Sequence, residues 1–144
     1  MEFAGSWYPA NADACRGAIV GYASNTPPVA ARFAVAPHAG WRYSGALAAK
    51  AYQSLAAGGD AQLVIVLGGH LRRADPLVAM AGGQWQTPFG PLALHPGTRG
   101  VLAGLPQVEW ESAAAYNADN SMELQLPFVK HHFPSAELLV MRIP

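Results

Sequence analysis

Two histidines stand directly behind apolar runs, His38 in VAPHAGWRYSG (35–45) and His70 in LVIVLGGHLRR (63–73). A neutral imidazole at the exit of a buried run can offer a nitrogen lone pair to a ligand. Two of them converging on one point suit a divalent transition metal, and one carboxylate or thiolate beside them would leave positions open for substrate. Gly40 and the pair Gly68-Gly69 flank the histidines, where tight turns and close backbone approach are needed. The other histidines read differently. His95, in LALHPG, sits beside a turn and is expected to face solvent, and His131 and His132 fall near a helix end, where cations complement the dipole.

For the two imidazoles to meet, the runs in front of them must be neighbouring strands. Residues 31–36 (ARFAVA), bounded by Pro37, read as a short buried strand, and 62–68 (QLVIVLG) as a second. Between them Ser44 can cap a helix running through GALAAKAYQSLAA, ended by Gly58-Gly59. That order is a βαβ unit with parallel strands, and ligands of such α/β sheets bind outside the carboxyl ends of the strands. Strand tips roughly 5 Å apart would bring both imidazoles to one point.

The remaining elements complete an α/β chain. Residues 13–24 read as a first helix with Asp13 as N-cap, ended by NTPP; 76–94 as hairpins or an edge meander; 97–104 as a short helix. Asn120 and Glu123 have capping-box spacing ahead of SMELQLPFVKHHF, in which Pro127 should bend the helix or divide it. AELLVMRI (136–143) reads as a last buried strand.

At 144 residues, half of them apolar, the chain is read as one domain, 1–144. Nine basic residues balance nine acidic ones and Arg72-Arg73 is the one adjacent basic pair, so no field recruits nucleic acid or a membrane surface. No apolar segment approaches the ~20 residues of a membrane span, and MEFAGSWYP has no signal-peptide pattern. The single Cys15 fits a reducing compartment and reads as a small buried apolar residue, so a cytoplasmic location is expected. Trp7, Tyr8, Trp41 and Tyr43 could line a pocket for an aromatic ring or peptide. Arg42, Arg72 and Arg73 could orient a carboxylate or phosphate. Ser44 lacks the Gly-x-Ser-x-Gly setting of a nucleophile, and LGGHLRR lacks the lysine of a phosphate loop.

Five stretches, AGSWYP (4–9), PHAGWRYSG (37–45), VIVLGGHL (64–71), TPFGPL (87–92) and NSMELQLPFV (120–129), resemble the successive motifs of the Memo family, in the same order and across nearly the whole chain. The resemblance implies a mixed, largely parallel central sheet flanked by helices, similar to the class III (LigB-type) extradiol dioxygenases. Those enzymes hold a non-haem iron on two histidines and a carboxylate, whereas Memo proteins are associated with two histidines and a cysteine that bind iron or copper. His38 and His70 are thereby implied as metal ligands for Fe(II) or Cu, with Trp7 and Tyr8 near the cleft. Where the family often has Glu-His-Ser, this chain has Asp119-Asn120-Ser121, with Asn120 placed to meet a ligand. Family members are longer, their second half carries the cysteine, and Cys15 does not match it; relative to them the fold is truncated. The third ligand is therefore open between Glu123, which falls at an acidic position of the family, Asp119, a second polypeptide and a second copy of the chain. The implied function is a metal-dependent oxidoreductase of dioxygenase type using His38, His70 and Glu123. The alternatives are a non-enzymatic module binding a metal, small molecule or peptide, or a subunit completed by a partner chain or homo-oligomer.

Overall fold

The computed structural model describes residues 1–23 and 26–144. Its main sheet has four strands: β1 (Leu63–Gly68), β2 (Leu77–Met80), β5 (Val108–Glu111) and β6 (Glu137–Arg142), in the order β1-β6-β2-β5. A two-stranded antiparallel hairpin, β3 (Gln84–Trp85) with β4 (Leu92–Ala93), joins it through a single bridge from Leu94 to Leu138 of β6. The helices are α1 (Ala12–Gly21), α2 (Trp41–Ala57), α3 (Thr98–Val101), α4 (Asn120–Glu123) and α5 (Leu126–His132).

The fold class is as expected, a mixed α/β sheet flanked by helices. β1 pairs parallel with β6 in the register Leu63↔Glu137 to Gly68↔Arg142, and β2 pairs parallel with β5. The two pairs meet along an antiparallel seam at Val78↔Arg142 and Ala79↔Met141. The βαβ expectation fails in its first strand. Residues 31–36 form no strand, and the parallel neighbour of β1 is β6. ELLVMR is buried almost throughout, whereas ARFAVA spends its positions on alanines and an arginine and leaves Phe33 and Val35 outside. The more apolar run takes the place beside β1.

One core fills the space between the sheet and the helices. α2 contributes Trp41, Gly45, Ala48, Ala49 and Tyr52, a single stripe at helical spacing. α5 contributes Leu126 through Val129. Phe128 joins the two, its ring 4.3 Å from Trp41 and stacked 5.2 Å from Tyr52. Gly45 has to be glycine, because a Cβ there would lie 2.7 Å from the Tyr22 ring. A smaller cluster packs Ala79, Leu139 and Met141 of the sheet with Leu102 at the end of α3.

Helix ends differ from expectation in instructive ways. Asn11, not Asp13, caps α1, its side chain accepting from the Ala14 N–H at 2.9 Å. Either residue type can do this; Asn11 wins because its backbone is extended while Asp13 is already helical. α2 begins at Trp41, so Ser44 lies inside its first turn and donates back to the Ala39 carbonyl. Pro127 divides the next helix as expected, standing in the first turn of α5 where its missing N–H costs nothing. The capping box does not form. Asp119 caps α4, and Glu123 turns the other way, accepting from the backbone N–H of Glu2 and Phe3 and from the Tyr8 hydroxyl. β5 was not foreseen, and the expected helix end at Ser24 and Asn25 lies outside the described residues.

Two further histidine readings are corrected. His95 is half-buried with Nδ1 2.6 Å from Glu137 Oε2, not simply solvent-facing. His132 does not act as a helix-end cation. Burial, with His131 beside it, lowers its pKa to about 4, and the ring stacks parallel to Tyr52.

Two predictions follow from this packing. Below its ordinary pKa of 6.5 the unfolded chain protonates His132 while the folded chain does not until about 4, so stability should fall as pH drops through that window. Urea unfolding should show this acid limb in the parent and a flatter one in His132→Phe; equal slopes would remove His132 as the cause. Glu123→Ala strands three donors at a buried carboxylate and should cost roughly 3 kcal/mol, with Tyr8→Phe costing less and the pair less than additive. Denaturant midpoints unchanged in Glu123→Ala would contradict that anchoring role.

Candidate functional site

Asp119 to Gln125, the start of the α4–α5 pair, holds the two histidine loops. The Asp119 carboxylate is buried and accepts from the Ser121 N–H at 2.9 Å and the Ser121 hydroxyl at 2.6 Å. Ser121 Oγ in turn accepts from the Gly69 N–H at 2.6 Å, which ties the end of β1 to α4. Glycine is required at the last position of β1 and at the one after it. A Cβ on Gly68 would stand 2.8 Å from Ser121 Oγ, and Gly69 has φ +116°, with an added Cβ 2.9 Å from that of Arg142. On the other side, Asn120 Nδ2 donates to the His38 carbonyl at 3.0 Å, and Gln125 Nε2 to the Pro37 carbonyl at 3.1 Å.

These braces bring His38 and His70 together, with ring centroids 5.3 Å apart and planes at 73°. His70 Nδ1 lies 3.3 Å from Asp119 Oδ1, and the side chain is 55% exposed. A carboxylate facing Nδ1 favours the proton there and leaves the Nε2 lone pair free, the usual arrangement behind a ligating imidazole. His38 is also exposed. Two imidazoles that share one ion have centroids roughly 4.6 Å apart at a right angle and roughly 5.3 Å apart at the tetrahedral angle, so the observed separation lies at the wide end of that range. The pair therefore fits as two donors. A third is not arranged beside it: among the described residues no group of three His, Cys, Asp or Glu side chains could hold a metal ion. Asp119 already spends Oδ1 on Ser121, and Glu123 is committed to the N-terminal segment.

The other residues singled out from sequence lie as follows. Asn120 braces the His38 loop. Tyr8 and Trp41 are core residues, Trp41 donating through Nε1 to the Leu124 carbonyl. Burial, with the Glu123 carboxylate behind it, pushes the Tyr8 hydroxyl far above its ordinary pKa, so it stays a donor. Trp7 is partly exposed and packs edge-on against Phe3; Tyr43 is exposed on α2. Arg42, Arg72 and Arg73 are exposed, and among the described residues their side chains make no ion pair with the site. Cys15 is buried, its Sγ 3.0 Å from the Pro9 carbonyl, and burial pushes the thiol up to about 11. Sequence reasoning missed Ser121 and Gln125. The available signal was a run of polar residues inside a motif otherwise apolar enough to be buried, since buried polar groups need partners. Beside the site, a cleft of about 450 Å³ separates residues 31–36 from β1, with Ser121 and Gln125 also in its lining.

Comparison with known proteins agrees with this fold. A family profile described as Memo-like protein matches residues 1–143. A MEMO1 family protein of Metallosphaera sedula is 33% identical over 106 residues, covering 73% of this chain and 38% of that protein. One from Sulfolobus acidocaldarius is 34% identical over 111 residues, covering 76% and 39%. Another, from Methanopyrus kandleri, is 32% identical over 109 residues, covering 75% and 38%. The chain spans less than two fifths of the length of these curated relatives. With the profile matched almost end to end and the motifs placed around one pair of histidines, the chain belongs to the Memo-like family.

Proposed function

We propose that this chain is a metal-binding module of the Memo type, holding one Fe(II) or copper ion on His38 and His70. The remaining donors come from solvent, a small-molecule ligand or another polypeptide. The observation that carries this reading is the imidazole pair itself: two rings from distant loops, 5.3 Å apart, with Asp119 behind His70 and Asn120 behind His38. Core packing does not require such an arrangement, because His38 and the His70 side chain both face solvent. Bound there, a metal ion would act as a Lewis acid toward a ligand in its open positions. The chain's own part is to fix the rings, orient the His70 lone pair and leave one side open.

Binding rather than turnover is the reading we adopt. A dioxygenase-type reaction needs a base beside the substrate, and both nearby carboxylates are occupied, Asp119 with Ser121 and Glu123 with the N-terminal segment. The further donor and base that an oxidoreductase would need are left to a partner.

Anaerobic titration calorimetry with Fe(II), and separately with Cu(I), tests the reading. One ion per chain should bind to the parent. Affinity should fall at least ~100-fold in His38→Ala and in His70→Ala, and by about 10–100-fold in Asp119→Asn, which keeps the shape but weakens the grip on Nδ1. Binding absent from the folded parent, or undiminished in the double histidine variant, would overturn it.

A further inference from the structure

A soluble chain normally hides its large apolar side chains, yet six of them stand out on one side of this one. Val35 is 99% exposed, Phe33 92%, Val29 80%, Leu47 61%, Leu67 54% and Ile65 53%. They come from three elements, the extended segment around residues 29–35, the outer face of α2 and the uncovered side of β1. Phe33 joins them, because it lines both the cleft against β1 and a second cleft of about 380 Å³ against α2. Together the six residues, backbone included, expose roughly 800 Å², and their side chains alone about 600 Å², the upper end of the ~300–600 Å² typical of the largest apolar patch on a monomer.

We propose that this face is the interface between two copies of the chain, packed about a twofold axis. Its area is the first argument. A standard stable interface buries about 800 Å² from each partner, which the exposed surface of these six residues, backbone included, approaches. Its charge is the second. The charged residues lining the clefts are Arg32, Lys50 and Asp60, of both signs, so a copy turned by a twofold can set its acidic group against its partner's basic ones. The chain carries nine basic and nine acidic residues, so no net repulsion keeps copies apart. A membrane surface fits less well, since it would call for a basic rim without Asp60. The twofold arrangement is the commonest for a self-complementary patch. This interface is independent of metal binding, although it lies next to the histidine loops: the segment ends at Pro37, directly before His38, and β1 ends at Gly68, two residues before His70.

Sedimentation equilibrium of the whole chain, from about 1 to about 200 µM, reads the outcome. The parent should show twice the chain mass at the upper end. Val35→Glu and Phe33→Glu should weaken the association at least ~100-fold with unchanged circular dichroism, since both positions are exposed in the single chain. Leu105→Glu, exposed but outside the patch, should leave it intact. A chain that is monomeric throughout, whatever else binds to the clefts, overturns the proposal. So does a dimer that survives both substitutions in the patch.

Discussion

Everything near the histidines hangs on seven consecutive residues, Asp119 to Gln125. From this short piece of chain, side chains and carbonyls reach the N-terminal segment through Glu123, the core tryptophan through the Leu124 carbonyl, and the His38 loop through Asn120 and Gln125. Asp119 and Ser121 reach the turn after β1. Most of these groups are buried, and a buried polar group without its partner costs far more than a formed bond returns. The bonds that are made fix how the loops sit relative to one another, although Gln125 Oε1 stays buried without a partner among the described residues. The histidines occupy their places because the backbone beneath them is held, not because they attract each other.

The legibility of the sequence follows from what kind of information each element carries. QLVIVLG and AELLVMRI could be read as buried strands because a run that is apolar on both faces has few other places to go. ARFAVA looked similar but carries less apolar bulk, and its outcome depended on competition with ELLVMR, more than a hundred residues further along the chain and outside any local pattern. Asn11 and Asp13 are both good caps, and only the backbone path separates them. The imidazole pair was legible by position, behind two apolar runs, even though one of the runs is no strand. The support beneath it was not. In NSMELQLPFV the polar residues look like the wet face of a helix, and only the fold reveals that this face is buried and spoken for.

The sheet itself has a change of direction built into its middle. β1 and β6 run together and finish at the histidine end, while β2 and β5 run the opposite way across the seam. Only one parallel pair therefore delivers carboxyl ends to the site, and Ile143 N–H closes that pair by donating to the Gly68 carbonyl. A crevice forms where strand direction alters, as in other open α/β sheets, although here it is framed by one strand end and one irregular segment.

That irregular segment behaves as a beam fixed at both ends. At one end the Ala31 N–H is bonded to the Ser54 carbonyl; at the other, the Pro37 and His38 carbonyls are held by Gln125 and Asn120. Between those clamps Arg32 to Ala36 contribute no backbone hydrogen bond among the described residues. Load applied to the middle of such a span is taken up by bending between its supports, and the supports stay where they are. The surface that meets whatever lies outside can thus change shape while the ring of His38, carried on the clamp itself, keeps its distance from His70.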